Sequence, residues 1–153
     1  MQQSADTVRL IEHTVESNAK EQASGEGRQT SGDRRRVLVV DDDPVVRRIV
    51  LELLNSRYTV VTASTGVQLP ELLKKHRPDL VILDVMLPWI NGFELCRILK
   101  TNSQGQEIPV LFLTGCKEKE DLLTGKEVGA AAYLTKPFYA KDLYREVDRL
   151  LAA

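Results

Sequence analysis

The sequence predicts an α/β fold: one parallel sheet covered on both faces by helices. Three observations carry that prediction. Five short apolar runs, at residues 37–40, 58–61, 80–83, 110–113 and 132–134, read as strands. They are near-continuously hydrophobic rather than alternating, which suits strands buried on both faces. Helical patterns alternate with them, and that alternation gives a parallel sheet.

The chain has 153 residues, enough for one domain with a tail. Composition changes near residue 36. Between Glu16 and Arg36 the only apolar residues are Ala19 and Ala23, and Gly25, Gly27 and Gly32 sit among polar and charged residues. Such a stretch cannot bury enough surface to offset its ordering entropy. Residues 1–35 therefore read as a flexible leader and 36–153 as the folded domain. Within the leader, Val8, Ile11 and Val15 have helical spacing, so a short helix over residues 7–16 is expected. At that length it is marginal without a partner. Arg34, Arg35 and Arg36, next to Asp33, read as a solvated strand start rather than a nucleic-acid or lipid patch.

After the first strand, Asp43 and Pro44 make a cap and a first turn. Val46, Ile49, Val50, Leu53 and Leu54 then form one apolar stripe. After the second strand, Pro70 interrupts a helical pattern, so that helix is expected to begin near Leu69. The helices after Phe93 and Glu118 are shorter and less regular. The last helix carries the stripe Leu143, Val147, Leu150 and Leu151.

Charge and cysteine usage exclude several classes. Lys and Arg total 21 against 22 Asp and Glu, a net charge of −1, which gives no reason to expect nucleic acid as the primary ligand. No apolar run approaches a membrane span, and the first residues lack a signal-peptide pattern. Cys96 and Cys116 have neither metal nor disulfide spacing, which suits a reducing cytoplasm.

In open parallel sheets, ligands bind at the carboxyl ends of the strands, so the residues that end each apolar run are informative. Strand one ends in Asp41, Asp42 and Asp43, strand three in Asp84, strand four in Thr114, and strand five leads to Lys136. Adjacent strands lie about 4.8 Å apart, so Asp42 and Asp84 can share one ion. A hard divalent cation such as Mg²⁺ relieves the repulsion of clustered carboxylates. A lysine and a hydroxyl facing the same ion leave room for a phosphoryl group, and Asp84 is the candidate nucleophile, because carboxylates form acyl phosphates. Asp43, directly before Pro44, reads as a helix cap.

With those residues in view, the sequence resembles the receiver domain of bacterial two-component response regulators. VLVVDDDP (37–44), PDLVILDVMLPWINGFE (78–94), IPVLFLTG (108–115) and YLTKPF (133–138) carry the resemblance, which covers roughly residues 36–152. It implies a doubly wound five-stranded parallel sheet in flavodoxin-like order 2-1-3-4-5. It also implies Asp84 as phosphoacceptor and a Mg²⁺ held by Asp42, Asp84 and the main-chain carbonyl of Met86. Asp41 acts there as the second acid through a bound water. Thr114 and Lys136 take the phosphoryl oxygens, and Tyr133 is the switch aromatic. Lys136-Pro137 is expected to be a cis peptide. Gly92 closes the loop after strand three, where a positive φ is expected.

The implied donor is a phosphohistidine on a sensor histidine kinase or a phosphotransfer protein. The implied output is binding of a protein target through the face of helix four, strand five and helix five. No output region follows Leu151, so the chain reads as a stand-alone receiver, without direct nucleic-acid binding and without a membrane span. It reads as a signalling protein rather than an enzyme.

Some positions depart from the family pattern. Residue 115 is Gly where Ala is commoner. Met86 and Cys116, two residues after Asp84 and Thr114, cannot orient a hydrolytic water well, so slow self-dephosphorylation is expected. Trp89 reads as a partly packed loop residue, with partner contact as the other reading. His76 reads as a helix-end cation, His13 lies in the leader, Cys96 reads as a small core residue and Cys116 as a loop thiol.

Two rival functions use the same residues. In a haloacid-dehalogenase-like phosphatase, Asp41 would be the nucleophile and Asp43 the acid/base, but that leaves Asp84 without a role and requires a further acidic motif. A receiver-like interaction module would bind partners without phosphorylation.

Overall fold

The computed structural model describes residues 34–152. The helix expected at residues 7–16 and the rest of the leader through residue 33 lie outside them. Five parallel strands, β1 (Arg36–Val40), β2 (Thr59–Ala63), β3 (Leu80–Leu83), β4 (Val110–Thr114) and β5 (Ala132–Thr135), form one sheet in the order β2-β1-β3-β4-β5. Five α-helices connect or follow them: α1 (Pro44–Leu54), α2 (Leu69–His76), α3 (Gly92–Thr101), α4 (Lys119–Glu127) and α5 (Ala140–Leu151). This is the doubly wound order that the resemblance implies.

Strand alternation divides the core. Val37 and Val39 join a cluster with Ile49, Val50 and Leu54 of α1 and Leu143 and Val147 of α5. Leu38 and Val40, one residue out of phase, join Leu69 and Leu73 of α2 and Leu95 and Leu99 of α3 on the opposite face. Both faces of β1, β3 and β4 are covered, so these strands are apolar except for Arg36 at the start of β1 and Thr114 at the end of β4.

Local chemistry sets the helix ends. The Asp43 side chain accepts from Val45 N at 2.9 Å, so this residue is the expected cap of α1. The second helix does begin at Leu69, after a single 3-10 turn at Gly66–Gln68, with Pro70 inside its first turn. Asn91 caps α3 by accepting from Glu94 N at 3.0 Å. Glu118 and Asp121 form a reciprocal capping box on α4.

The three arginines are anchors rather than free charges. Arg36 opens β1, its N–H donating to Asp79 at 2.8 Å and its guanidinium to the carbonyl of His76, the last residue of α2, at 2.9 Å. Arg35 pairs with Asp79 at 3.6 Å, and Arg34 donates to the Asn55 carbonyl at 3.2 Å. No helix among the described residues is long and apolar enough to cross a membrane.

Candidate functional site: an acidic pocket at the carboxyl edge of the sheet

The register delivers the polar residues to one edge. Val40 pairs with Leu83, and Leu83 with Phe112, so Asp41 and Asp84 leave the sheet at one level. Thr114 pairs with Thr135, and Lys136 N donates to the Thr114 carbonyl at 2.8 Å. Asp84 N donates to the Val40 carbonyl at 3.0 Å, which ties β3's exit to β1's.

Asp41, Asp42 and Asp84 each place a carboxylate oxygen within 4.8 Å of the others. Asp41 and Asp84 are buried and Asp42 is exposed. The Lys136 ammonium bridges the two buried acids, at 2.7 Å from Asp41 Oδ2 and 3.0 Å from Asp84 Oδ2. Burial works against the lysine's charge, but the two carboxylates outweigh it and hold its pKa above the ordinary value. Burial pushes the Asp41 carboxyl up to about 6 despite the neighbouring ammonium. Three carboxylates against one ammonium leave a negative surplus. Hard oxygen donors with that surplus fit a divalent cation such as Mg²⁺.

The second oxygens of the acids are also held. Asp84 Oδ1 accepts from Met86 N at 3.1 Å, and Asp41 Oδ1 from Asp43 N at 2.9 Å. Arg47 of α1 donates to the Asp41 carbonyl at 2.7 Å. Sequence reasoning passed over Arg47. The signal available was its position, one helical turn after the Asp43 cap and facing the strand that precedes it.

Thr114 is wholly buried, and its Oγ1 accepts from Cys116 N at 3.3 Å. Tyr133 on β5 donates to the Cys116 carbonyl at 2.5 Å. Its ring packs on Phe112, with centroids 5.7 Å apart, and burial holds its hydroxyl above the ordinary pKa. A Cβ at Gly125 of α4 would lie 2.9 Å from the ring, so this glycine makes the slot that the ring occupies. The Lys136-Pro137 peptide is cis.

Two expectations are corrected. Gly92 does not adopt a positive φ; its constraint is space, because a Cβ there would lie 2.1 Å from the Asp84 carbonyl oxygen. The left-handed residue in this loop is Trp89, with φ 74°. Trp89 is also 90% exposed rather than partly packed. The β3–α3 loop turns on its tryptophan so that Gly92 N can donate to the Val85 carbonyl at 2.8 Å and start α3 against the acid's backbone. Cys96 is a core residue as expected, with its thiol pKa raised by burial.

Residues 37–148 match the family described as the response regulator receiver domain. The chain belongs to that family. A receiver domain is a phosphorylation-linked signalling domain of two-component systems rather than a classical enzyme, and receivers bind Mg²⁺ at an acidic pocket.

Among curated relatives, response regulator MprA of Mycobacterium sp. (strain KMS) is 40% identical over 117 residues, which is 76% of this chain and 50% of that protein. The DNA-binding dual master transcriptional regulator RpaA of Synechocystis sp. is 38% identical over 76% of this chain and 48% of its own length. This receiver therefore spans about half the length of the curated relatives it matches. Because RpaA is named for DNA binding, the expectation of no nucleic-acid partner finds no support in these relatives.

Among solved structures, chemotaxis protein CheY4 of Vibrio cholerae superposes with a TM-score of 0.73 at 34% identity, covering 77% of this chain and 99% of that one. A response regulator of Chloroflexus aurantiacus gives 0.75 at 33%, covering 79% and 100%.

Proposed function

We propose that this receiver accepts a phosphoryl group on Asp84 from the phosphohistidine of a sensor kinase or phosphotransfer protein. The observation that carries the reading is the Lys136 bridge between two buried carboxylates at the sheet edge, beside the exposed Asp42. An Asp84 carboxylate oxygen attacks phosphorus, the phosphorus–nitrogen bond breaks, and its electron pair returns to the donor imidazole. Asp41, Asp42, Asp84 and the Met86 carbonyl are the proposed Mg²⁺ ligands, Asp41 acting through water. When bound, that ion supplies positive charge to the transferring oxygens.

The remaining steps belong to the chain. Lys136 is already held at Asp84 and takes one phosphoryl oxygen. Thr114 gives up Cys116 N and turns its hydroxyl to another. Gly115 has no heavy atom within 4 Å of where a Cβ would sit, so the donor's approach is open there. The Thr114 movement changes the space that Tyr133 can fill, which couples Asp84 to the α4–β5–α5 face and to a protein target. Met86 and Cys116 offer no acid or amide to position a hydrolytic water, so the acyl phosphate is long-lived and the domain catalyses its own dephosphorylation only slowly.

Intact-mass measurement after incubation with Mg²⁺ and acetyl phosphate tests this. One phosphoryl adduct is expected, absent in Asp84→Asn. Label retained in Asp84→Asn would move the nucleophile to Asp41. No adduct from any donor would leave a phosphorylation-independent binding module.

A further inference from the structure

One residue holds the acidic loop after β1 at both ends. Arg47 stands near the start of α1, just after the Asp43 cap. Its main-chain N–H donates to the Asp43 carbonyl at 3.1 Å, and its guanidinium donates to the Asp41 carbonyl at 2.7 Å. Asp42 is the residue between. Its carboxylate is exposed and has no hydrogen bond or ion pair among the described residues. It nevertheless places an oxygen within 4.8 Å of the Asp41 and Asp84 carboxylates. The Asp41 carbonyl belongs to the peptide that joins Asp41 to Asp42. Because that peptide is planar, holding its oxygen fixes the direction in which Asp42 leaves.

The neighbours of Asp42 have anchors of their own. Asp41 donates its N–H to the Ala63 carbonyl at 3.1 Å, and its two carboxylate oxygens accept from Asp43 N and Lys136 Nζ. Asp43 is tied by its cap on Val45 N. The placement of Asp42 therefore rests on the peptide in front of it. The partner that Arg47 takes is also informative. Close in the chain to Asp41, Asp42 and Asp43, its half-buried guanidinium forms no ion pair with any of them and bonds a neutral carbonyl instead. A guanidinium paired with those carboxylates would compete with a cation for their oxygens. Bound to the peptide, it leaves them free. A cation this near a helix N-terminus opposes the helix dipole, so the stability of α1 does not favour an arginine here.

We propose that Arg47 is a positioning residue for the divalent cation: by holding the Asp41–Asp42 peptide, it aims the Asp42 carboxylate at the ion. This rests on the reading that Asp41, Asp42 and Asp84 hold Mg²⁺. Charge and position act here in opposite directions. The guanidinium repels a cation, so by charge alone its removal tightens Mg²⁺ binding. Release of the peptide loosens it, and groups that orient metal ligands set about ten- to a hundred-fold in affinity. The sign of the change separates the two roles.

Calorimetric titration of the full chain with MgCl₂, with and without Arg47→Met, measures that sign. About tenfold weaker binding is expected in the variant. Arg47→Lys keeps the charge and loses the planar fork, so its affinity should fall between the two. Arg48→Met removes the same charge from the next position, whose side chain pairs with Glu52, and should leave the affinity within about twofold. With acetyl phosphate as donor, Arg47→Met should need more Mg²⁺ for its half-maximal rate and regain the wild-type rate at saturating Mg²⁺. Far-UV circular dichroism checks the fold, and if Arg47→Met is unfolded, Arg47→Lys takes its place in each comparison. Unchanged or tighter Mg²⁺ binding overturns the proposal, as does an equal loss in Arg48→Met or a rate that stays low at saturating Mg²⁺. If the wild-type chain binds no Mg²⁺, the ion reading fails and this inference fails with it. If the wild-type chain binds Mg²⁺ and Arg47→Met binds it equally well, this inference alone fails.

Discussion

The two helical layers on the sheet are built differently. On one side, α1 buries Val46, Ile49, Val50, Leu53 and Leu54, and α5 buries Ala140, Leu143, Val147 and Leu151. On the other, α4 buries only Gly125 within its length and leaves Leu122 and Leu123 exposed. The same side holds an apolar groove lined by the exposed Val67 and Ile98. The α1 layer also carries the Asp43 cap and Arg47, which fix the position of Asp41. The α4 layer meets Tyr133. The α1–α5 side thus holds the acids in register; on the other side α3 buries Leu95, Cys96 and Leu99, and α4 alone is lightly embedded. If Asp84 accepts a phosphoryl group as proposed, α4 is the helix freest to respond.

Stability measurements can break this comparison. Leu143→Ala removes a fully buried side chain from the tight layer and should cost about 2–5 kcal/mol in urea unfolding. A cost under about 1 kcal/mol would mean that the two layers are packed alike.

A pH titration of metal-free protein probes the fixed acids. Because burial raises Asp41 from 3.8 to about 6, the folded state holds that proton where the unfolded chain has lost it. Stability from this group is full below about pH 4 and is lost as pH rises through about 6, on the order of 2–3 kcal/mol at most. Mg²⁺ favours the carboxylate and should flatten that fall. An unchanged slope with Mg²⁺ present would separate Asp41 from the ion site.

Tyr133→Phe removes the hydrogen bond to the Cys116 carbonyl and should cost about 0.5–1.5 kcal/mol. If Tyr133 links Asp84 to α4, the same variant takes up phosphoryl normally but shows a smaller change in α4 amide exchange on phosphorylation. The smallest effect belongs to Leu123→Ala, within about 0.5 kcal/mol by the same unfolding assay.

Legibility in the sequence divides along the same line. Leu80–Leu83 was legible to the residue, because a strand buried on both faces is apolar throughout. The start of α2 at Leu69 was legible from Pro70, and the cap of α1 from Asp43 and Pro44. The polar residues ending β1, β3 and β4 were legible as a group, because parallel strands deliver their carboxyl ends to one edge. The structure brings Asp41, Asp84 and Lys136 within hydrogen-bonding distance there.

What could not be read depends on contacts between distant segments. Gly92 announced an unusual backbone, but its actual constraint is the Asp84 carbonyl, a contact across the β3–α3 loop. The slot at Gly125 exists only because Tyr133, from another element, lies over it. The left-handed Trp89 contradicts local preference, so no local rule could have found it.

Gly115 has a kinetic consequence of its own. A Cβ there would meet no heavy atom within 4 Å, so the chain leaves open space directly after Thr114, and open space has no selectivity by sequence. If Asp84 accepts a phosphoryl group as proposed, a small donor and the tip of a histidine on a protein meet the same opening. Fidelity to one kinase would then reside in surfaces that touch the partner, away from the reacting atoms. Filling that space with Gly115→Val would slow small donors and protein donors together. Altering the docking surface would slow the protein donor alone. The ratio of those two rates therefore measures how far signal insulation in this receiver is a property of its periphery.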